Sequence, residues 1–324
     1  RVLESMVGFL EELLMDSPLE NGGFLPGFVE SEKKNLKNAI LGLVNDKKEY
    51  AQAKCNEIMF EGDPYGIPEY GYVCDLDEID EKQLYEFYCE LLESATIDIF
   101  AGGSFDEAVL VDELKKAFSV LGERLGGYAK TRLALPEENI TVKNITEPMP
   151  TSQSKLVMGF NCGISPVSDE YYAFMLFSCI FGGSPFSKLF NNVRERLSLA
   201  YYVFSAADRQ KGYMKISSGI EADKFDAAYA EIMVQLDKMK NGDFTDDEIL
   251  SAKKYLATSL GSAKDSLAAT ENFYMGQILL GNDETIDGLI ERLQKVDRKA
   301  IIDAANHVQE DTVYFLKGVA NGEV

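Results

Sequence analysis

The sequence predicts helices that pack against one face of a β-sheet, in an α+β or α/β arrangement spread over two domains. Its 324 residues are enough for two domains of ordinary size. Apolar residues at helical spacing alternate with short β-branched and aromatic runs, most regularly in the second half. No apolar run reaches the ~20 residues that a helix needs to cross a bilayer, so we expect a soluble, globular protein.

The first half of the chain is predicted to be mainly helical. Its one predicted strand is the β-branched run at residues 95–101. The predicted helices cover residues 1–16, 28–43, 47–60, 75–93 and 106–121. Because this is little strand for so much helix, we expect earlier strands of this domain to precede residue 1. Residues 126–153 are polar and contain Gly and Pro, which predicts a linker between domains at 1–125 and 154–324.

The second half alternates strands and helices. The predicted strands cover residues 155–160, 198–204, 213–220 and 312–316. The predicted helices cover residues 169–181, 187–197, 222–240, 265–281 and 297–307. Thr245 and Glu248 form a capping-box pattern that begins a further helix.

Charge and cysteine content exclude several classes of protein. The formal net charge is -22, from 54 acidic and 32 basic residues. Nucleic acids and anionic lipids bind clustered Lys and Arg, so we expect neither nucleic acid nor a membrane as partner. The five cysteines are widely spaced and contain no CxxC pair, which is typical of a protein in a reducing cytoplasm.

The sequence contains no recognisable catalytic centre. A hydrolytic zinc site needs about three protein ligands, and zinc peptidases usually place two histidines one helical turn apart. His307 is the only histidine, and its position in a late helix favours a helix end over a metal ligand. No HxxEH, GxSxG, P-loop or GxGxxG occurs, and a single histidine leaves little scope for a nucleophile–histidine pair.

Two hydrogen-bond donors stand seven residues apart in the most distinctive stretch of the chain, residues 182–204. Arg194 closes a predicted helix, and Tyr201 opens a predicted strand. An arginine can donate two parallel hydrogen bonds and a phenol one, so the pair can bind peptide carbonyls or stabilise an oxyanion. The alternative is ordinary structure, with the arginine in ion pairs and the tyrosine half-buried.

This stretch resembles the arginine–tyrosine motif in the C-terminal domain of M16 peptidases, the pitrilysin/insulinase-like family. Residues 187–190 match its Ser-x-Leu-Phe, and residues 194–201 match its Arg-Glu-x-x-x-Leu-Ala-Tyr. The resemblance implies that Arg194 and Tyr201 bind substrate near the scissile bond, across the cleft from a zinc site.

Further segments extend the resemblance. Residues 153–160 are similar to the first strand of the family's C-terminal domain. Residues 99–103 are similar to the family strand that carries a glycine after the helices of the N-terminal domain. Residues 63–68 resemble its His-Pro-Tyr-Gly loop, with Asp63 in place of the histidine. The resemblance implies an α+β class with two M16-type domains of the LuxS/MPP-like metallohydrolase fold. Each would have a mixed sheet with helices on one face, and the N-terminal domain would be incomplete in this chain.

The resemblance also implies a degenerate metal site. Active members carry Glu-x-x-x-x-x-x-Glu on a helix, and the second glutamate is the third zinc ligand. Here Glu32 keeps the first glutamate, but Ala39 occupies the ligand position, and a methyl group cannot bind zinc. We therefore expect no metal or other cofactor on this chain, as in the bacterial non-catalytic members of the family.

Three functions follow from the resemblance. The first is a non-catalytic subunit, inactive alone, that holds peptide and contributes Arg194 and Tyr201 to the zinc site of an HxxEH-bearing partner. That partner would hold the zinc, in a heterodimer, with a homodimer as the alternative assembly. The second is an active zinc endopeptidase with ligands upstream of residue 1, against which Ala39 counts. The third is a structural or peptide-binding scaffold with no role in cleavage.

Overall fold

The computed structural model describes residues 2–122, 132–138 and 140–320. Residues 126–131 and 139 of the predicted linker lie outside the described residues. The helices are α1 (Val2–Met15), α2 (Pro26–Gly42), α3 (Lys47–Met59), α4 (Glu81–Ser94), α5 (Glu107–Ala117), α6 (Glu170–Ser178), α7 (Phe225–Lys240), α8 (Asp246–Ser262), α9 (Leu267–Leu280), α10 (Ile286–Lys295) and α11 (Arg298–Asn306), with π-helices at Cys179–Gly183 and Phe190–Arg196. The strands are β1 (Leu19–Glu20), β2 (Gly23–Phe24), β3 (Lys143–Pro150), β4 (Ser154–Asn161), β5 (Ala200–Asp208), β6 (Tyr213–Ile220) and β7 (Gln309–Val319). In the part of the chain that is described, no helix is both long and apolar enough to cross a membrane.

The chain forms two compact units. The first comprises Arg1–Gly42 and Glu69–Ala129, and the second comprises Leu43–Pro68 and Lys130–Val324. The predicted domain boundary assigns residues 43–68 to the first domain. In the structure they belong to the second unit because α3 packs on its sheet.

The second unit is built on a five-stranded sheet in the order β3-β7-β4-β6-β5. β3 runs parallel to β7, and every other neighbouring pair is antiparallel. In the register of the central strand, Met158 pairs with Ile216 on one side and with Val313 on the other. The sheet is therefore mixed, and the predicted α+β fold class is confirmed.

Helices cover one face of this sheet and form the main core. Leu156, Met158 and Phe160 alternate along β4 and are fully buried toward that face. They pack with apolar residues of α6, α7, α8, α10 and α11 in one cluster. Full burial of each such side chain stabilises the fold by about 1.5–3 kcal/mol, so this cluster supplies most of the driving force for folding.

The opposite face of the sheet is covered by α3. Ala51 and Cys55 of this helix are fully buried and cluster with Val157 and Tyr314. The approach is close, because a Cβ added at Gly159 of β4 would lie 2.6 Å from the sulfur of Met59. Burial also raises the pKa of the Cys55 thiol to about 12. The sheet thus has a helical layer on one face and α3 on the other.

The first unit contains two short strands, β1 and β2, that were not predicted, and it differs from its prediction at two further elements. The predicted strand at residues 95–101 is wrong, since these residues form no strand. β-branched residues favour a strand only where a neighbouring strand supplies hydrogen bonds, and propensity alone did not decide here. The predicted helix at 75–93 is a short 3₁₀ segment followed by α4, because Asp80 accepts hydrogen bonds from two amides and starts a new helix there.

The second unit contains two elements that the sequence analysis did not predict. β3 lies within the predicted linker, and its two prolines and polar side chains conceal a strand at the edge of the sheet. α10 begins after Thr285, which caps the amide of Gly288. The strands β4, β5, β6 and β7 and the capping box at Thr245 confirm their predictions, with changes at the ends.

A buried lysine joins the loop before residue 68 to the turn between β5 and β6. The ammonium of Lys211 lies 2.6 Å from a carboxylate oxygen of Asp63, and its side chain is only 3% exposed. It also lies 5.1 Å and 5.3 Å from the ring centroids of Phe60 and Tyr65. The Lys211 hydrogen bond lowers the pKa of Asp63. The Tyr65 hydroxyl in turn donates to Asp208, 2.7 Å away, so the loop is held at two points.

Asp63→Ala should lower the free energy of unfolding by about 3 kcal/mol, because it leaves a buried ammonium without its counter-charge. The folded-state pKa of Asp63 is depressed, so this stabilisation is present above the unfolded carboxyl pKa of about 4 and lost as pH falls through the folded value. Urea unfolding at pH 7 and pH 3 should therefore show a smaller difference between variant and parent at the lower pH.

The matched control is Asp303→Ala, which removes an exposed ion pair with Lys299 on α11. It should change the free energy of unfolding by less than about 1 kcal/mol. Equal effects of the two substitutions would contradict the importance of the buried pair.

Candidate functional site

Arg194 and Tyr201 line one cavity of about 440 Å³ at the end of the second unit's sheet. Arg194 lies in the last turn of the π-helix Phe190–Arg196, and Tyr201 is the second residue of β5. The predicted change from helix to strand between them is thus confirmed. The lining residues are Arg194, Glu195, Ser198, Leu199, Ala200, Tyr201, Glu221 and Lys224.

The helix before the cavity is wound as a π-helix. The amide of Leu197 donates to the carbonyl of Asn192, five residues earlier, at 3.2 Å. Leu189 and Val193 are fully buried in the core and anchor the helix. Single-turn π segments are frequent at functional sites. Here the winding lies immediately before the arginine.

Arg194 presents its guanidinium at the cavity. Its side chain is 43% exposed, and Nε lies 3.4 Å from a carboxylate oxygen of Glu195. The guanidinium carbon stacks 4.9 Å from the ring centroid of Phe190. An exposed ion pair of this length contributes at most about 1 kcal/mol, so a ligand carbonyl or carboxylate can compete for the guanidinium at little cost.

The corner between helix and strand is strained. Ser198 has φ of 50°, in the left-handed region that residues with a Cβ seldom adopt. The next amide, that of Leu199, donates back to the carbonyl of Val193 at 2.9 Å. This bond closes the corner and brings the start of β5 next to the end of the π-helix.

Tyr201 is the extra residue of a β-bulge. Ala200 pairs with Ile220 and Tyr202 pairs with Gly219, so Tyr201 has no partner residue in the register of β5 with β6. A bulge re-aims the side chain that it carries. Tyr201 is accordingly 57% exposed, whereas its neighbour Ala200 is buried.

The Tyr201 hydroxyl is held by an acidic residue from the next strand end. It donates a hydrogen bond to Oε1 of Glu221 at 3.1 Å. This bond raises the pKa of Tyr201, and the nearby Lys224 opposes the shift. At neutral pH the phenol is therefore protonated and can act only as a neutral hydrogen-bond donor or acceptor.

Glu32 and Ala39 lie two helical turns apart on α2, in the first unit. Both line a cavity of about 430 Å³ whose walls are mainly apolar. Glu32 accepts a hydrogen bond from Asn35 at 3.3 Å. The other lining residues are Val29, Lys33, Asn35, Leu36, Tyr70, Leu76, Ile79 and Leu84.

These residues do not fit a zinc ion. Ala39 has a methyl group, which cannot bind zinc, and the walls around it carry few atoms that could bind a metal. Within residues 2–122, 132–138 and 140–320, no three His, Cys, Asp or Glu side chains are grouped to hold a metal. His307 ends α11 and is exposed, as its predicted place at a helix end requires.

Four of the five cysteines have a raised thiol pKa. All five lie in described segments and are free thiols. Burial raises the pKa of Cys55, Cys162 and Cys179, so these three are protonated at neutral pH. A hydrogen bond to Asp75 raises the pKa of the exposed Cys74.

Comparison with known proteins identifies the family of this chain. Residues 78–256 match the family model described as peptidase M16 inactive domain. A Bacillus subtilis (strain 168) protein named "Probable inactive metalloprotease YmfF" is 32% identical over 317 residues, which cover 98% of this chain and 74% of that protein.

Solved structures show the same fold. A conserved protein from Enterococcus faecalis V583 is 30% identical, with a TM-score of 0.91 over 100% of this chain and 76% of its own. A peptidase M16 inactive domain from Pseudomonas fluorescens is 17% identical, with a TM-score of 0.78 over 98% of this chain and 75% of its own, and supports the fold alone. The chain therefore belongs to the peptidase M16 family, as a homologue of members described as inactive.

Proposed function

We propose that this chain is a non-catalytic subunit of an M16-type zinc peptidase, which holds peptide for the zinc site of an HxxEH-bearing partner. The observation that supports this most is the corner that carries Arg194 and Tyr201. A π-helix end, a left-handed Ser198 and a β-bulge follow one another there, and both donors line one cavity. Such local irregularities cost stability and are typical of functional sites.

The chemistry of the pair suits a peptide under attack. In the assembled peptidase, the partner's zinc ion would supply the activated water. Arg194 would donate a hydrogen bond to the carbonyl oxygen of the peptide, where negative charge develops, and Tyr201 would donate to the same oxygen by turning its single O–H away from Glu221. A protonated phenol and a guanidinium are suited to that charge because both donate without losing a proton.

The remaining parts of the proposal rest on composition. The net charge of -22 suits basic peptides, since opposite charges speed encounter. The free thiols suit a reducing cytoplasm. A heterodimer with the HxxEH-bearing subunit accounts for a chain that keeps the donors and has Ala39 at the ligand position.

A scaffold without a role in cleavage is the main competing function. In that case Arg194 and Tyr201 would be packing residues. Their exposures of 43% and 57% favour ligand binding over packing, because neither side chain contributes a buried contact to the core.

Arg194→Ala and Tyr201→Phe should each lower the cleavage rate of the reconstituted pair, by roughly 10- to 1000-fold, because each removes a donor to the developing oxyanion. The thermal melting of this chain should change little, since both side chains are largely exposed. The measurement is the steady-state rate on a peptide library with the HxxEH-bearing M16 protein of the same genome, beside thermal melting.

Two matched controls separate a local effect from a general one. Arg196→Ala removes an arginine two residues away that pairs with Glu231, and Tyr274→Phe removes a partly exposed hydroxyl on α9. Neither should change the rate more than about twofold. Full activity of both Arg194→Ala and Tyr201→Phe in a correctly assembled pair would support the scaffold instead.

The purified chain should not retain stoichiometric zinc, because Ala39 supplies no ligand and the cavity around it is mainly apolar. Elemental analysis after dialysis against zinc-containing buffer measures this, with the HxxEH-bearing protein as the positive control. One zinc per chain, in protein that includes any preceding residues, would instead support an active endopeptidase.

A further inference from the structure

A lysine from the far side of the cavity contacts the strained corner. Lys224 ends the short 3₁₀ turn Ala222–Lys224, just after β6. Its ammonium donates to the carbonyl oxygen of Ser198 at 3.3 Å. It also lies 3.4 Å from Oε1 of Glu221, the same oxygen that accepts the Tyr201 hydroxyl. One side chain therefore touches both supports of Tyr201.

The first support is the backbone. A residue with a Cβ in the left-handed region is strained and persists only where its surroundings hold it. Two hydrogen bonds hold Ser198 in this conformation. The amide of Leu199 donates to the carbonyl of Val193, and the ammonium of Lys224 donates to the carbonyl of Ser198. A cation at this carbonyl stabilises the strained conformer, and so sets the direction in which the chain enters the bulge.

The second support is the phenol. An exposed tyrosine rotates among several conformers unless a partner holds its hydroxyl. Glu221 holds it, and Lys224 in turn restrains Glu221, whose side chain is 46% exposed. Without the lysine, the carboxylate would be free to leave the phenol for water.

We propose that Lys224 is a positioning residue for Tyr201, because its ammonium joins the strained Ser198 carbonyl to the carboxylate that receives the Tyr201 hydroxyl. It lines the cavity, but it acts through these two neighbours rather than on the reacting atoms. The kinetic part of this inference rests on the proposed function, whereas the positioning itself is a property of this chain alone.

A surface ion pair with no role is the alternative. Lys224 and Glu221 are three residues apart and both are partly exposed, and most such pairs contribute little to stability. A plain ion pair would not contact a left-handed residue and would not share its acceptor with Tyr201. The charged groups that line the cavity with them are Arg194 and Glu195.

The first arm of the test is spectroscopic and uses the full chain with ring-labelled tyrosine. Lys224→Met should shift and broaden the Tyr201 resonance, assigned from the Tyr201→Phe spectrum, because the ring samples more conformers. Lys224→Arg should restore it, since a guanidinium can donate to both oxygens.

Glu221→Gln should lower the pKa of Tyr201 toward its ordinary value, because the hydrogen bond to the Glu221 carboxylate is the main cause of the raised pKa. The control Lys299→Met alters an 81% exposed lysine on α11 and should leave the resonance unchanged.

The second arm is kinetic and uses the reconstituted pair. Lys224→Met should lower kcat roughly tenfold with little change in KM, because a donor displaced by about an ångström stabilises the transition state less. Lys224→Arg should recover most of that loss. An unchanged Tyr201 resonance in Lys224→Met would overturn the inference. So would a kcat within twofold of the parent, where Tyr201→Phe loses at least tenfold. If the parent pair cleaves no peptide, the proposed function fails, and the spectroscopic arm still decides whether Lys224 positions Tyr201.

Discussion

Burial of β4 on both of its faces is the constraint on which the second unit depends. Every residue of this strand is buried, from Ser154 to Asn161. It lies between β7 and β6, with the helical layer on one face and α3 on the other. A strand enclosed in this way has one register that satisfies its backbone and its side chains together. That register determines where β6 ends, and hence where Glu221 and Lys224 stand.

The candidate site uses this rigidity at the edge of the same sheet. Leu189 and Val193 anchor the π-helix in the core, while β6 fixes the other side of the corner through its pairing with β5. The strained Ser198 and the bulged Tyr201 lie between two fixed supports. Strain persists only where the surroundings hold it, so a well-packed core is a condition for the geometry of the site.

Under the proposed function, the two units retain different parts of an active peptidase. In the second unit, Arg194 and Tyr201 are hydrogen-bond donors that are exposed at one cavity. In the first unit, Glu32 and Ala39 line a different cavity, whose walls are mainly apolar. An oxyanion donor works on a peptide held by another subunit, whereas a metal ligand works only with its fellow ligands. A chain that lacks only the metal ligand could therefore still use its hydrogen-bond donors on a peptide at another subunit's zinc site.

The sequence by itself determined most of the helices, the four strands β4 to β7, and the change from helix to strand between Arg194 and Tyr201. These follow from side-chain period, capping residues and residue chemistry, all of which are local. Only the tertiary structure decided that residues 95–101 form no strand, that β3 does, and that α3 belongs to the second unit. Each of these three outcomes depends on whether a partner strand or sheet lies alongside, and the local sequence pattern does not show which segments become neighbours. The same reason concealed Glu221 and Lys224, because the pairing of β6 with β5 brings Glu221 to Tyr201 from twenty residues away along the chain, and Lys224 follows Glu221.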